Sequence, residues 1–429
     1  MRRKILFLLL ALLCPQLLVK AQLGVAVVQT ADDLVRVGIA NNKDLAAVQS
    51  RIAEGKGRLR QAGVHPSPTL DLTGDTGKPF GSDGEYQYGA GVSQQVETFG
   101  KRGKRIRMAD LAVRMAEAEY QQQAAQLAYA IKAAYAERLA EGRKVKLFDE
   151  LIDLSEQALK LTEARAHEGD VAPLEANLLR VEVSRARLQK AGAQGRLASA
   201  ELEIRRLAGL RTEQSIPSAD FPLPLPVELD SLKRKALEER ADLIMSKANE
   251  EREHAGISLA QAEAKPDITL STVVSRQSSE FDGLYGLRSN GSLSPMRERV
   301  NTLSFGVSLP LRTSRNGASN VQAATARAAG AQLNSEYLAQ SIPLEVESAY
   351  QRWRAASDSL QTLQQNVIDP SVSNLSIIRQ AYKLGQLRLL DVLNEQRRLV
   401  DTQLASIDTQ ADVARTWAEL ERATGGNLQ

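Results

Sequence analysis

The side chains that bind transition metals are few in this sequence, and they are not grouped. Its 429 residues include three histidines (His65, His167 and His254), one cysteine, Cys14, and five methionines. No two histidines stand four residues apart and the methionines form no run, so the spacing that places two ligands on one helix face is missing. We predict no metal site and no cofactor, and we assign these histidines to structural or surface roles.

The sequence also lacks the patterns typical of enzymes. It contains no Ser-His-Asp arrangement, no carboxylates spaced for acid–base catalysis and no Gly-rich nucleotide loop. A basic cluster around Gly103 is not a phosphate loop, because Thr98 replaces the first glycine and Arg105 stands where Ser or Thr must follow the lysine. The basic cluster consists of Lys101, Arg102, Lys104, Arg105 and Arg107. We therefore predict a protein that is not an enzyme.

The N-terminal segment, Met1–Ala21, has the three parts of a cleaved secretory signal peptide. Basic residues precede an apolar run, and the segment ends in Val19-Lys20-Ala21, which a signal peptidase can read. Its removal takes four of the 55 basic residues and none of the 52 acidic ones, which leaves a net charge of −1 and excludes a basic nucleic-acid binder. Leu13 precedes Cys14, where a lipoprotein anchor needs a small residue, so we expect no lipidation.

The two halves of the chain match each other at a nearly constant offset. Gly91-Val92-Ser93 recurs as Gly306-Val307-Ser308, and Gly169 recurs as Gly385 with an offset that differs by a single position. Order and spacing kept over most of each half predict a tandem duplication. We place the first repeat at residues 22–215, a proline-rich linker at 216–227 and the second repeat at 228–429.

The composition indicates long helices. Aromatic residues make up only 4% of the chain, while helix-forming and small residues are abundant. Each repeat should begin with a helix, over about residues 30–62 and 228–263. In the first repeat, residues 104–167 contain no proline and one glycine, which predicts a helix on the order of 95 Å long.

The corresponding stretch of the second repeat, about residues 318–384, contains two prolines. Pro343 and Pro370 should kink or break the helix, because proline lacks the backbone N–H and clashes with the preceding turn. In both repeats a second helix follows a glycine, Gly169 or Gly385. Each repeat should therefore contain an antiparallel helical hairpin.

Two segments in each repeat alternate apolar and polar residues, which predicts four strands of about ten residues. They lie around Leu70, Tyr88, Leu270 and Phe305, with loops over 79–85 and 278–300. Strands of this length can span a bilayer, but four cannot close a barrel, so several chains would have to share one. A four-stranded sheet packed on the helices of a soluble protein fits the same pattern.

These features together resemble the TolC family of outer-membrane efflux channels. The resemblance rests on the duplication, the strand pairs and the motif Tyr382-x-x-Gly385-x-x-x-x-Leu390-Asp391-Val392-Leu393. A second segment, Ser93-Gln94-x-x-Glu97-x-x-Gly100-Lys101-Arg102, is similar to the heavy-metal, CzcC-like branch. The resemblance covers essentially the whole chain after the signal peptide.

The resemblance implies a mainly α fold with a small β part. Three chains would each contribute four strands to a twelve-stranded outer-membrane β-barrel, and their hairpins would form an α-barrel across the periplasm of a Gram-negative bacterium. The implied partners of this passive conduit are a periplasmic adaptor and an inner-membrane proton-driven pump. The basic cluster would lie at the membrane interface and face lipid phosphates, although a solvated helix start explains it equally well.

The resemblance also implies a gate at the periplasmic mouth, where the family carries acidic residues six and nine positions after the hairpin glycine. Asp391 and Glu175 occupy the first position in the two repeats, but Asn394 stands at the second. Leu387 stands where the family has an arginine, and a solvated first-turn carboxylate is the alternative for Asp391. The hairpin tips implied to dock the adaptor are Gly169, Asp170, Val171, Gly385, Gln386 and Leu387.

Export of heavy-metal cations is the function that this resemblance favours. Multidrug efflux and type I protein secretion are alternatives within the family. A soluble periplasmic coiled-coil protein, such as a pump adaptor, is the alternative outside it. Adaptors have one helical hairpin flanked by β domains, so the two predicted hairpins and two strand pairs argue against that assignment.

Overall fold

The computed structural model describes residues 30–80, 84–211, 214–219, 227–311 and 314–426. The predicted signal peptide, with Cys14, and most of the predicted linker lie outside these residues. The described part is mainly helical, with one four-stranded sheet, so the predicted fold class is confirmed.

The first half of the chain, residues 30–211, contains a helix pair, a strand pair and a helical hairpin, and the second half, residues 227–426, has the same order. The elements of the first half are α1 (Ala31–Asn41), α2 (Lys43–Ala62), β1 (Thr69–Thr76), β2 (Tyr86–Val96), α3 (Lys101–His167) and α4 (Pro173–Ala208). Those of the second half are α5 (Leu229–Glu239), α6 (Ala241–Glu263), β3 (Ile268–Leu287), β4 (Leu293–Ser308), α7 (Ser314–Leu363), a π-helical turn (Gln364–Ile368), α8 (Asp369–Lys383) and α9 (Leu389–Ala423).

Each predicted first helix is in fact two helices, separated by one residue with an extended backbone. Asn42 (φ −68°, ψ 120°) accepts a hydrogen bond from Leu45 N at 3.0 Å and thereby caps α2, while its Nδ2 donates to Leu207 O at 2.9 Å. Arg240 (φ −64°, ψ 122°) takes the same conformation between α5 and α6 and pairs with Asp242 and Glu345. Side-chain hydrogen bonds at the break stabilise it, which helix periodicity cannot reveal.

The long helix predicted over 104–167 is confirmed as α3, which is 67 residues long. Its counterpart is interrupted, as expected, beside Pro370, where the π-helical turn widens the backbone before α8 begins. Such a turn accommodates a residue that cannot continue the regular hydrogen-bond ladder. Pro343 does not break the chain of helical residues and lies inside α7.

The four strands form one antiparallel sheet in the order β1-β2-β3-β4. The predicted loop over 278–300 is wrong: β3 and β4 are 20 and 16 residues long and turn only around Gly291, whose φ is +81°. Ser279 pairs with Glu298, and Glu280 with Arg297. The outer ends of β3 and β4 are rich in polar residues, so the sequence pattern does not predict them as strands. They form because the backbone hydrogen bonds between strands do not require apolar side chains.

The apolar core is divided into separate clusters along the helices. One joins α1, α3 and α4 through Leu34, Ile131 and Ile204, and a larger one joins α5, α6, α7 and α9. A third, with Phe148, Ala193 and Val400, connects both halves, so the two hairpins pack side by side. Among the described residues, no helix combines the length and apolarity that crossing a membrane requires.

Candidate functional site

One face of the sheet is apolar and exposed. Leu70, Val92, Thr272 and Phe305 are neighbours in one row across the four strands, and Leu72, Ala90, Val274 and Leu303 form the next. Leu72 is 73% exposed and Phe305 77% exposed in the single chain. Because so wide an apolar surface is unfavourable in water, this face requires an apolar environment such as lipid.

The opposite face of the sheet is polar, and the charges that the described strands place on it are all negative. Successive residues of a strand point to opposite faces, so Asp71, Asp75 and Glu298 share the polar face with Thr, Ser, Gln and Gly residues and with two valines, Val273 and Val300. Between Thr69 and the Ser279–Glu298 pair, no Lys or Arg of the described strands lies on this face. The arrangement can attract cations and repel anions.

The basic cluster lies where the strands meet the helices, and part of it is used inside the protein. Lys101 is 4% exposed, and its Nζ donates at 2.7 Å both to Asp267 Oδ1 and to Lys265 O. Desolvation raises the pKa of Asp267, but hydrogen bonds from Lys101, Thr98 and Gln95 outweigh it and hold the pKa below its usual value. Lys101 therefore cannot face lipid phosphates, and this part of the expected interface is corrected.

The remaining members of the basic cluster differ in their contacts. Arg105 makes a two-point ion pair with Glu97 and, by hydrogen bonding, lowers the pKa of that carboxyl. Arg102 Nε donates to Gly63 O at 2.6 Å, and Arg107 pairs with Glu251 at 3.1 Å on an exposed surface. Lys104 is half-buried. The cluster thus joins the strand–helix junctions of both halves, while Arg102 and Arg107 stay exposed.

The two hairpin tips have the same backbone geometry. Gly169 and Gly385 have φ values of +83° and +72°, as the predicted hairpin turns require, and both are exposed. Behind them, Asp170 N donates to Arg165 O at 2.9 Å, and Gln386 N donates to Ala381 O at 3.0 Å. These bonds close each helix end with a left-handed glycine, a conformation that costs other residues free energy. Val171 is half-buried, and Leu387 is 36% exposed.

A hydrogen bond between the two hairpins lies just behind the tips. Tyr382 Oη donates to Glu175 Oε2 at 3.1 Å, and Leu179, Leu389 and Leu393 pack beside it. Burial and the Glu175 carboxylate both raise the pKa of Tyr382, so its hydroxyl keeps its proton. The sequence analysis did not predict this pair. The available signal was Tyr382 itself, which is part of the motif and lies three residues before Gly385.

The other predicted gate residues are Asp391 and Asn394. In the part of the chain that the structure describes, neither forms a hydrogen bond or an ion pair between the two hairpins. Asp391 Oδ2 accepts a hydrogen bond from Arg388 N at 3.0 Å, within the first turn of α9. Asp391 and Asn394 are both exposed. The structure thus brings Glu175 together with Tyr382 and leaves Asp391 and Asn394 directed to solvent in the single chain.

Metal-ligating side chains are not gathered in the described part of the chain. No three His, Cys, Asp or Glu residues there lie close enough to hold one metal ion.

Known proteins are similar to this chain over most of its length. The chain is 24% identical over 400 residues to the cobalt-zinc-cadmium resistance protein CzcC of Cupriavidus metallidurans, with 92% of this chain and 90% of that protein covered. It is also 24% identical to the solvent efflux pump outer membrane protein SrpC of Pseudomonas putida, over 92% of this chain and 84% of that one.

Solved structures share the fold at lower identity. The CusC channel aligns with a TM-score of 0.73 at 18% identity, over 92% of both chains. The outer-membrane channel OprN aligns with a TM-score of 0.74 at 18% identity, over 92% of this chain and 90% of that one. The family model "Outer membrane efflux protein" matches residues 34–210 and 232–426. This chain belongs to the outer membrane efflux protein family, whose members are efflux channels.

Proposed function

We propose that this efflux channel exports heavy-metal cations. The observation that carries the proposal is the sheet with two unlike faces: an exposed apolar face suited to lipid and a polar face whose charged side chains, in the described strands, are all carboxylates. A cation passing such a face is attracted at several weak positions and is not retained at a tight site, which suits conduction. The relative named for cobalt, zinc and cadmium resistance supports the same cargo.

The channel is a homotrimer in this proposal. Within one chain, β1 and β4 are edge strands, and in lipid an open edge leaves backbone groups without partners. Two chains would give about eight strands, whose interior is filled by side chains, whereas three give twelve and leave room for a passage. The two repeats, 22–215 and 228–429, would then alternate around the threefold axis.

The tips connect the channel to its partners in this proposal. Gly169–Val171 and Gly385–Leu387 dock a periplasmic adaptor, which links the channel to a proton-driven pump in the inner membrane. The tips are sharp, exposed turns between the two arms of each helical hairpin, at the end that is far from the strands. Arg102 and Lys104, near the sheet, contact lipid phosphates of the periplasmic leaflet.

Tyr382, Glu175 and Asp391 control passage near the tips. The Tyr382–Glu175 bond holds the two hairpins of one chain together in the resting state, and three copies of Asp391 form an acidic ring. Two carboxylates about 6 Å apart repel each other by about 3 kcal/mol at an effective dielectric of 20. The ring therefore binds a counter-cation or relaxes outward.

Reversal potentials in planar bilayers test cation preference directly. Under a KCl gradient, the wild-type channel should prefer cations, and Asp75→Asn should weaken that preference. Glu280→Gln is the matched control, because Glu280 lies on the same sheet but on its apolar face. An anion-selective wild type, or equal effects of the two substitutions, would contradict the proposal.

Resistance measurements separate the two candidate cargoes. In a strain that lacks its own conduit, co-expression with a metal pump and its adaptor should raise tolerance of zinc, cobalt and cadmium. The relative named as a solvent efflux protein makes toluene the second cargo to test. Tolerance of toluene without tolerance of metals would assign the channel to solvents instead.

A further inference from the structure

Two arginines stand just beyond the apolar rows, on the same face of the sheet. Arg276 pairs with Tyr88 on one side and with Asn301 on the other. Arg299 lies one row further, opposite Ser278 and diagonal to Arg276, at a distance that long side chains bridge. Both arginines therefore point to the side of the sheet that requires lipid.

These two arginines have no ion partner within the described part of the chain, and both are exposed. The next row shows the contrast, since Arg297 Nε is bonded to Glu280 Oε2 at 2.9 Å. Among the side chains that the structure describes in these strands, the polar face carries carboxylates, while this face carries three arginines and Glu280, which is paired with Arg297. Arg276 and Arg299 thus form an uncompensated positive patch on the apolar side.

The position of the patch matches the boundary of a membrane. From Ile268, at the helix end of β3, to Arg276 are eight residues, or about 26 Å along a strand and about 20 Å at a tilt near 40°. The apolar band of outer-membrane strands is of about this height. Because the helices extend into the periplasm from the opposite end, Arg276 and Arg299 lie at the outer leaflet.

We propose that Arg276 and Arg299 bind a phosphate group of a phosphorylated glycolipid in the outer leaflet. A guanidinium donates two parallel hydrogen bonds to phosphate oxygens, and two such groups in diagonal positions can hold one phosphate between them. Tyr88, directly beside Arg276 and 62% exposed, packs against Tyr86 with ring centroids 5.3 Å apart and the ring planes tilted by 42°. These rings can pack against the sugar of a glycolipid at the membrane interface. A phospholipid has no such sugar.

The test compares lipid binding by the detergent-solubilised trimer and by a double variant, Arg276→Gln with Arg299→Gln. Native mass spectrometry would measure binding of bisphosphorylated lipid A, of dephosphorylated lipid A and of phosphatidylglycerol. We expect the wild type to prefer bisphosphorylated lipid A, and the double variant to lose about tenfold or more in affinity for it, since several charge-assisted hydrogen bonds disappear.

A matched control removes two exposed arginines from the periplasmic helices, Arg114→Gln with Arg187→Gln, and should keep wild-type affinity. If the double variant fails to assemble as judged by light scattering, the single variants replace it, and each should lose severalfold. Equal wild-type affinity for the two forms of lipid A, or an unchanged preference in the arginine variants, would overturn the proposal. So would equal affinity for phosphatidylglycerol, which would point to phospholipid instead.

Discussion

The two halves of this protein have the same order of elements but differ in continuity. In the first half, α3 runs for 67 residues without interruption, and its strands are 8 and 11 residues long. In the second half, a π-helical turn separates α7 from α8, and the strands are 20 and 16 residues long. The second half therefore contains both the weaker helix and the longer outer hairpin.

This difference in continuity suggests that the two halves differ in stiffness. An unbroken α-helix bends little, whereas a π-helical turn followed by a proline has a disturbed hydrogen-bond ladder and yields more easily. We infer that α3 and α4 act as a frame against which the tip of the second half moves. The Tyr382–Glu175 bond is the contact through which the frame holds that tip.

The largest effect should come from a substitution at a tip. In Gly385→Val, a β-branched residue must adopt positive φ, which costs roughly 1–2 kcal/mol or more and disorders the turn. Co-purification with the adaptor and metal resistance should be lost. Gly169→Val should behave alike, because φ is positive in both tips.

The control for these tip variants is Gly142→Ala, inside α3, where an added Cβ meets nothing within 4 Å beyond the adjoining backbone of its own helix. It should retain wild-type adaptor binding. If Gly385→Val still bound adaptor at wild-type yield, the assignment of the tips would be wrong.

The next largest effect should follow removal of the bond between the halves. Tyr382→Phe deletes a hydrogen bond to a charged group, worth about 1.5 kcal/mol at such a half-buried site, and should raise the open fraction in planar bilayers about tenfold. The raised pKa of Tyr382 means that the hydroxyl is protonated, and the bond intact, up to pH values above the usual tyrosine pKa.

Tyr120→Phe, on α3 away from the tips, is the control for this variant and should open no more than wild type. An open fraction of Tyr382→Phe that equals wild type would show that the frame does not hold the moving tip through this bond.

A smaller effect should follow when the second half is made more like the first. Pro370→Ala restores a backbone N–H beside the π-helical turn and should stabilise a regular helix by roughly 1 kcal/mol. The gain is smaller than in a helix interior, because Pro370 lies in the first turn of α8. Hydrogen exchange of residues 364–368 should slow about fivefold. Pro343→Ala should leave these amides unchanged, and a Pro370→Ala variant without slower exchange would refute the hinge.

The smallest effect should concern ion preference at the tips. Asp391→Asn removes one exposed carboxylate per chain and should lower cation selectivity by about twofold and weaken block by divalent cations. Glu175→Gln should change selectivity less, because Glu175 is partly buried against Tyr382. Unchanged reversal potential and block in Asp391→Asn would leave Asp391 as a helix-capping carboxylate.

Much of the fold could be predicted because its signals are local. Proline-free runs predicted α3, and glycines at the hairpin turns predicted the positive φ values at Gly169 and Gly385. The breaks at Asn42 and Arg240 escaped prediction, since they depend on partners such as Leu207 that are distant in sequence. The roles of the gate residues and of the adaptor-docking tips remain predictions. The division of the chain into two repeats also remains a prediction.

The order of the elements and the two-faced character of the strands follow from the amino-acid sequence alone, because the periodicity of a helix or a strand is set by the backbone of each segment. Which charges meet depends instead on how the elements pack. Lys101 pairs with Asp267, and Tyr382 with Glu175, across separations of 166 and 207 residues. The extension of β3 and β4 through polar sequence is likewise a property of the folded chain, because strand pairing depends on the partner strand and not on the residues of one strand alone.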